Sequence, residues 1–220
     1  MRMAEPVTVP ISIFDVTIEF VRPNLRFAMT RADLVDELFD GFSRWGITVD
    51  DLEVVNEGKP SEQGVKFKIP KRKTTFFFSP SQAKLTWDDA NWETAGETIE
   101  ILTIGLEALV KHGAVEFLKY KTGVALHLQP RDASFIELIK PFASPALAEV
   151  QSTPLTAFAT VLRWEGRRIT IDGSAQIANA IFLHFERDFA GTSAIRDLAA
   201  EILADERKLY SILGVEEVAP

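Results

Sequence analysis

Six acidic side chains and no basic one fall between Asp88 and Glu107. Asp88 and Asp89 are adjacent, with Glu93 and Glu97 beyond them. Paired carboxylates of this kind can bind Mg²⁺ or divide an acid and a base role between them. They also stand where a helix is expected to begin, and the positive end of a helix dipole favours acids. The helix-start reading carries more weight, so no catalytic residue and no metal ligand is assigned. Trp87 and Trp92 flank the same stretch, and Trp87, Asp88, Asp89, Trp92 and Glu93 together could enclose a cation or a sugar. Two such rings more often anchor a loop onto a core.

The opposite charge is concentrated just upstream. Lys66, Lys68, Lys71, Arg72 and Lys73 fall within eight residues with no acid among them. Arg163, Arg167 and Arg168 mark a second basic hairpin. Two such hairpins, with Phe67 or Trp164 nearby for stacking, could grip a phosphate backbone. Lysines on turns and outward strand faces also discourage sheet edges from pairing with other chains, and that reading is preferred. Nucleic acid is therefore not the expected partner.

The three histidines, His112, His127 and His184, have no zinc-ligand spacing, and there is no cysteine to help them. His112 ends an expected helix, where an imidazolium suits the dipole. Asp205 falls on the apolar stripe of the last expected helix, between Ile202 and Leu209. Either the stripe rotates there or a carboxylate enters a packed interface, and rotation is preferred because unpaired charges are rarely buried.

Missing chemistry narrows the field further. Without cysteine there are no disulfides, thiolate metal sites or thiol nucleophiles. The sequence has no glycine-rich nucleotide loop, no Gly-x-Ser-x-Gly elbow and no His-Glu-x-x-His pair, so no cofactor is expected. A net charge of −8 gives no general attraction to nucleic acid or anionic membrane. No run of about 18 apolar residues occurs, and the first residues lack the apolar stretch of a signal peptide. The cytoplasm is the expected compartment.

The elements that must position these residues follow from periodicity. Ile11 to Phe20 alternates, with Phe14, Val16, Ile18 and Phe20 on one face. Thr30 caps a helix carrying Leu34, Leu38, Phe42 and Trp45, which Gly46 ends. Strands are expected at Leu52 to Val55, Val65 to Ile69, Thr74 to Phe78 and Ala83 to Trp87. Pro70-Lys71-Arg72 and Pro80-Ser81-Gln82 supply turns. A long helix from about Thr94 to His112 buries Ile99, Leu102, Leu106 and Leu109. After Gly113 the pattern restarts: a strand over Val115 to Leu128 closed by Pro130, and a short helix capped by Asp132. Strands at Leu155 to Trp164, Arg168 to Asp172 and Ala178 to Phe185 come next, then a helix from Ser193 to Leu213 stopped by Gly214. Disorder is expected at Met1 to Val9 and Glu216 to Pro220.

Both halves, 1–113 and 114–220, thus read β-α-β-β-β(-β)-α. The fold class is α+β, a curved antiparallel sheet with long helices on one face. That element order resembles the duplicated fold of TATA-box-binding proteins, which does not by itself fix a function. Lys84-Leu85-Thr86-Trp87 with Asn91-Trp92-Glu93, and Asp205-Glu206-Arg207 leading to Tyr210-Ser211-Ile212-Leu213-Gly214, resemble a sporadically distributed family of uncharacterised bacterial proteins. The resemblance implies a fold and no site. The expectation for function is a non-enzymatic binding or assembly module that holds a protein partner or pairs as a homodimer. A carrier or sensor of an apolar small molecule, lined by Phe14, Phe76 and Phe78, is the alternative.

Overall fold

Alternating side chains become alternating burial in the first strand. In a computed structural model that describes residues 4–28, 32–59, 62–90, 95–113, 115–142, 159–190 and 197–218, β1 (Glu5–Phe20) buries Phe14, Val16, Ile18 and Phe20 and leaves Asp15, Thr17 and Glu19 half-exposed. The fold is α+β, with an open and mostly antiparallel sheet. Its further strands are β2 (Leu52–Val55), β3 (Gly64–Ile69), β4 (Thr74–Phe78), β5 (Gln82–Asp88) and β6 (Phe117–Pro130). They are followed by β7 (Thr160–Trp164), β8 (Arg167–Gly173), β9 (Ile181–Ala190) and the short β10 (Val215–Glu217). Hydrogen-bonded neighbours follow the order β2-β3-β4-β5-β1-β6-β9-β8-β7, and β10 pairs with β1. β1 and β6 run antiparallel, because the Val21 N–H bonds Glu116 O at 2.8 Å at one end and the Arg131 N–H bonds Pro6 O at 3.0 Å at the other.

The chain divides into two compact units. One comprises Phe14–Thr122 with Asp188–Ala199. Its β2–β5 meander pairs Leu52 with Phe67, Phe67 with Phe76 and Phe76 with Leu85. α1 (Ala32–Phe42) buries Leu34, Leu38 and Phe42, then tightens into a 3₁₀ turn that Gly46 closes at a left-handed φ of 75°. Phe42 meets Phe67 and Phe76 edge-on, with ring centroids 5.5 and 5.7 Å apart. Thr30, the expected cap, lies outside the described residues, as does Thr94 before α2 (Ala95–Gly113).

Of the four residues expected on the buried face of α2, Leu102, Leu106 and Leu109 are buried and Ile99 is not. Thr98, Ile101, Leu102, Gly105, Leu106 and Leu109 are buried, whereas Ile99 is half-exposed. Ile99 alone misleads, because the face turns toward Thr98 and Gly105, where the sheet supplies the bulk. A Cβ on Gly105 would lie 2.3 Å from Phe76 Cζ, so the helix approaches through its smallest residue.

The other unit comprises Met1–Ile13, Gly123–Arg187 and Ala200–Pro220. Ile169, Ile171, Leu183 and Phe185 form its buried strand face. α3 (Phe135–Ile139) is capped by Ser134, whose Oγ accepts the Ile136 N–H at 3.3 Å. Asp132 is not the cap. Its backbone N–H instead donates to Glu5 Oε1 at 3.1 Å, and the Ala133 N–H joins it at 2.8 Å. α4 (Leu198–Leu213) ends at Gly214, with φ 67°. Ser193, where the last helix was expected to begin, and residues 143–158 lie outside the described residues. Within the ends expected to be disordered, Glu5–Val7 pairs in parallel with Val215–Glu217, while Met1–Met3, Ala219 and Pro220 lie outside the described residues. A strand of three residues is too short to carry a readable period.

Candidate functional site

The basic hairpin and the acidic loop turn out to be one corner of the meander. Lys73 precedes β4 and Asp89 follows β5, and the pairing of Thr74 with Trp87 sets them side by side. Both adopt left-handed φ, 48° and 51°. The Asp88 N–H bonds Lys73 O at 2.9 Å, and Lys73 Nζ pairs with Asp89. Arg72 pairs with Glu97 in the first turn of α2. Lys66 and Lys68 both reach Glu53 on β2, at 3.1 and 3.0 Å, and these two ammoniums, Lys68 foremost, hold the Glu53 carboxyl below its usual range. Lys71 folds its side chain across Gly46. The two candidate sites thus meet in the Lys73–Asp89 pair, and four of the five basic side chains of this hairpin, all but Lys71, already have a carboxylate partner.

Trp87 is 4% exposed, a core residue rather than a pocket wall, while Asp88 is exposed. Trp92 and Glu93 lie outside the described residues. Among the described residues no three His, Asp or Glu side chains converge as metal ligands.

The histidines have separate tasks. His112 ties α2 to α1, with Nε2 2.6 Å from Glu37 and Nδ1 3.2 Å from Asp33. Lys111, and then His112, hold the Glu37 carboxyl below its usual range. His184 is half-buried beside Phe182, with ring centroids 6.1 Å apart.

His127 is 5% exposed and sits 2.8 Å from Ser174 Oγ. A serine beside a histidine invites a nucleophilic reading, but the hydroxyl is otherwise engaged. Ser174 Oγ accepts the N–H groups of Gln176 and Ile177 at 3.1 and 2.9 Å, which occupies both lone pairs. Its proton must go to His127 Nδ1, so the ring is neutral with its own proton on Nε2. Burial lowers the imidazole pKa below the usual 6.5. The unfolded chain takes up this proton first as pH falls, so stability should drop below about pH 6.5 and level off once the folded ring also protonates. Thermal unfolding of His127→Gln, which keeps an acceptor for Ser174 but does not titrate, should show a weaker pH dependence in that window. An unchanged slope would refute the neutral-ring assignment.

Asp205 lies off the buried stripe of α4, where Arg187 Nη1 meets it at 3.1 Å and Arg187 Nη2 meets Glu201 at 3.1 Å. The rotated stripe admits Glu206 instead, which is 6% exposed and accepts the Tyr210 hydroxyl at 3.0 Å. Burial, aided by Glu206 and Glu217, holds that hydroxyl protonated far above the ordinary phenol range. The spacing Leu198, Ile202, Glu206, Leu209, Leu213, with a tyrosine four residues after the glutamate, carried this signal in the sequence. A pocket of about 460 Å³ opens nearby, lined in part by Glu5, Leu138, Tyr210, Ile212 and Val215. Phe14, Phe76 and Phe78 line neither this pocket nor the one of similar volume at Pro23 and Val115; they are buried in packed core.

The second basic hairpin differs from the first. Arg168 is paired with Glu186 at 3.1 Å. Arg163 stands opposite Arg168, and Arg167 opposite Arg187. Among the described residues neither Arg163 nor Arg167 has an ion-pair partner. The hairpin also ends the strand order: no described strand pairs with the outer side of β7. Val161 and Leu162, one on each face of that strand, are 47% and 41% exposed. No helix among the described residues is long and apolar enough to cross a membrane. The chain matches no protein-family model and no curated protein at a significant level of similarity.

Proposed function

We propose that the chain is a binding or assembly module of the cytoplasm, working through protein–protein contacts and able to pair with itself. The outer edge of β7, with which no described strand pairs, carries this reading. N–H and C=O groups without a ladder partner among the described residues, along a strand bearing exposed Val161 and Leu162, are a template for another chain. Edge strands that must stay free are normally blunted by charged side chains, proline or a bulge, and Thr160-Val161-Leu162-Arg163-Trp164 has no proline and a single charge, Arg163. The opposite edge, β2, is guarded by the Glu53 pairs with Lys66 and Lys68. The matching strand orders β1-β5-β4-β3 and β6-β9-β8-β7 support an internal duplication of 1–113 in 114–220.

Native mass spectrometry on the gently purified protein tests the reading. A multiple of the chain mass, or co-purified protein, supports it, and reduction of that species by Val161→Lys would locate it. A monomer that captures no protein would refute it. The carrier reading draws on the pocket beside Tyr210, whose roughly 460 Å³ is within the size range of small-molecule sites. It predicts a non-covalent excess of a few hundred daltons in the same spectrum.

A further inference from the structure

We infer that the outer edge of β7 receives an extended acidic segment of a protein partner, added as a strand with a carboxylate against Arg163. The assignment rests on the binding-module reading and specifies its partner. The turn between β7 and β8 is the two-residue loop Glu165-Gly166, with Gly166 at a φ of 63°. In such a hairpin the closing pair, Trp164 with Arg167, is the hydrogen-bonded one. Bonded and non-bonded pairs then alternate, so Leu162 and Thr160 bond inward to Ile169 and Ile171. Val161 and Arg163 turn their N–H and C=O groups outward. These two residues also share a face, since they stand opposite Thr170 and Arg168.

An incoming strand would therefore exchange backbone bonds with Val161 and Arg163. It would set one side chain beside Val161 and another beside Arg163 on that face, with Leu162 covered from the other. Charge selects the occupant. Arg168 is already neutralised by Glu186, and Arg187 by Glu201 and Asp205. Arg163 and Arg167 are left without counterions among the described residues, next to the turn residue Glu165. Like charges directly opposite each other, Arg163 with Arg168 and Arg167 with Arg187, cost stability, and an added carboxylate relieves the first pair. A second copy placed antiparallel about Leu162 would instead set Val161, and no carboxylate, opposite each Arg163.

The test uses the full chain and two short synthetic peptides, one alternating valine with glutamate and one alternating valine with lysine, followed by fluorescence anisotropy. The glutamate peptide is expected to bind, more weakly as salt rises, and the lysine peptide at least about tenfold less tightly, a difference of about 1.4 kcal/mol. Arg163→Glu should reverse that preference. Val161→Pro should abolish binding while circular dichroism stays unchanged, because the donor it removes points away from β8. Equal binding of both peptides, or glutamate binding that survives Val161→Pro, would overturn the assignment to this edge while leaving a binding module in place. No peptide binding by a protein that forms a β7-dependent homo-oligomer would overturn the acidic partner in favour of self-pairing. No binding by a strict monomer that captures no protein would overturn both readings.

Discussion

Replacing Phe76 with alanine is expected to destabilise the protein by about 3–5 kcal/mol, read as a lower urea midpoint with little change in slope. The ring is fully buried in the middle of β4, flanked by Phe67 and Leu85 across the sheet and met edge-on by Phe42. Its tip also rests on the backbone of α2 at Gly105. Truncation removes the transfer energy of the ring and leaves a void between sheet and helix that a β-strand cannot collapse into. Phe77→Ala, one residue along on the half-exposed face, should cost less than half as much. Gly105→Ala alone should destabilise by about 1–3 kcal/mol through overpacking, even though alanine favours the helix by about 1 kcal/mol. In the Phe76→Ala background the same methyl enters vacated space, so its effect should become neutral or favourable. The coupling in that double-mutant cycle measures the contact directly. Additivity of the two changes would mean that helix and strand do not meet there.

That contact also shows where sequence reading stopped. The strands β2 to β5 were legible almost residue by residue, because alternation and turn chemistry are local. Lys66 and Lys68 alternating with Val65, Phe67 and Ile69 fix the faces of β3 without reference to anything else. Gly46 was legible as a helix stop because only its own backbone conformation matters. The buried face of α2 was legible at Leu102, Leu106 and Leu109 but not at Thr98 and Gly105, which are chosen by what the sheet presents to them. The cap of α3 was misplaced by two residues: Ser134 and Asp132 are equally good caps in sequence, and the Asp132 and Ala133 N–H groups are bonded instead by Glu5, more than a hundred residues away.

The candidate site was legible as two lists of charges and not as one object. Lys71 to Lys73 and Asp88 to Asp89 lie on consecutive turns of a meander, and the pairing of β4 with β5 puts them at the same end. Recognising that Lys73 and Asp89 pair required the register, which the short turn at Ser79 to Ser81 sets. Arg163 and Arg167 were singled out for charge alone. What distinguishes them, the lack of counterions among the described residues in the hairpin that ends the strand order, is a property of that order and of Glu186, Glu201 and Asp205, none of which sequence spacing connects to them.

Gly64→Ala is expected to cost about 3 kcal/mol or more, enough to abolish soluble expression if the parent protein is marginally stable. Gly64 opens β3, paired with Val55. A Cβ built there would lie 1.9 Å from the carbonyl oxygen of Phe78 and 2.9 Å from its carbonyl carbon. Overpacking usually costs about 1–3 kcal/mol because a side chain can swing aside. A carbonyl held in a β-ladder cannot, so β3 and β4 must separate at the Val65–Phe78 end. That separation withdraws the Phe78 ring, 2% exposed and in edge contact with Phe27 at 5.6 Å, from the core. Gly96→Ala provides the contrast: no atom lies within 4 Å of a Cβ there, and the residue is in the first turn of α2. It should be neutral or stabilising by up to about 1 kcal/mol. The two substitutions add the same methyl group with opposite expected signs, so parallel urea titrations of both separate a loss of space at β3 from any general effect of removing a glycine. A Gly64→Ala protein as stable as its parent would rule out the close approach of β3 to β4.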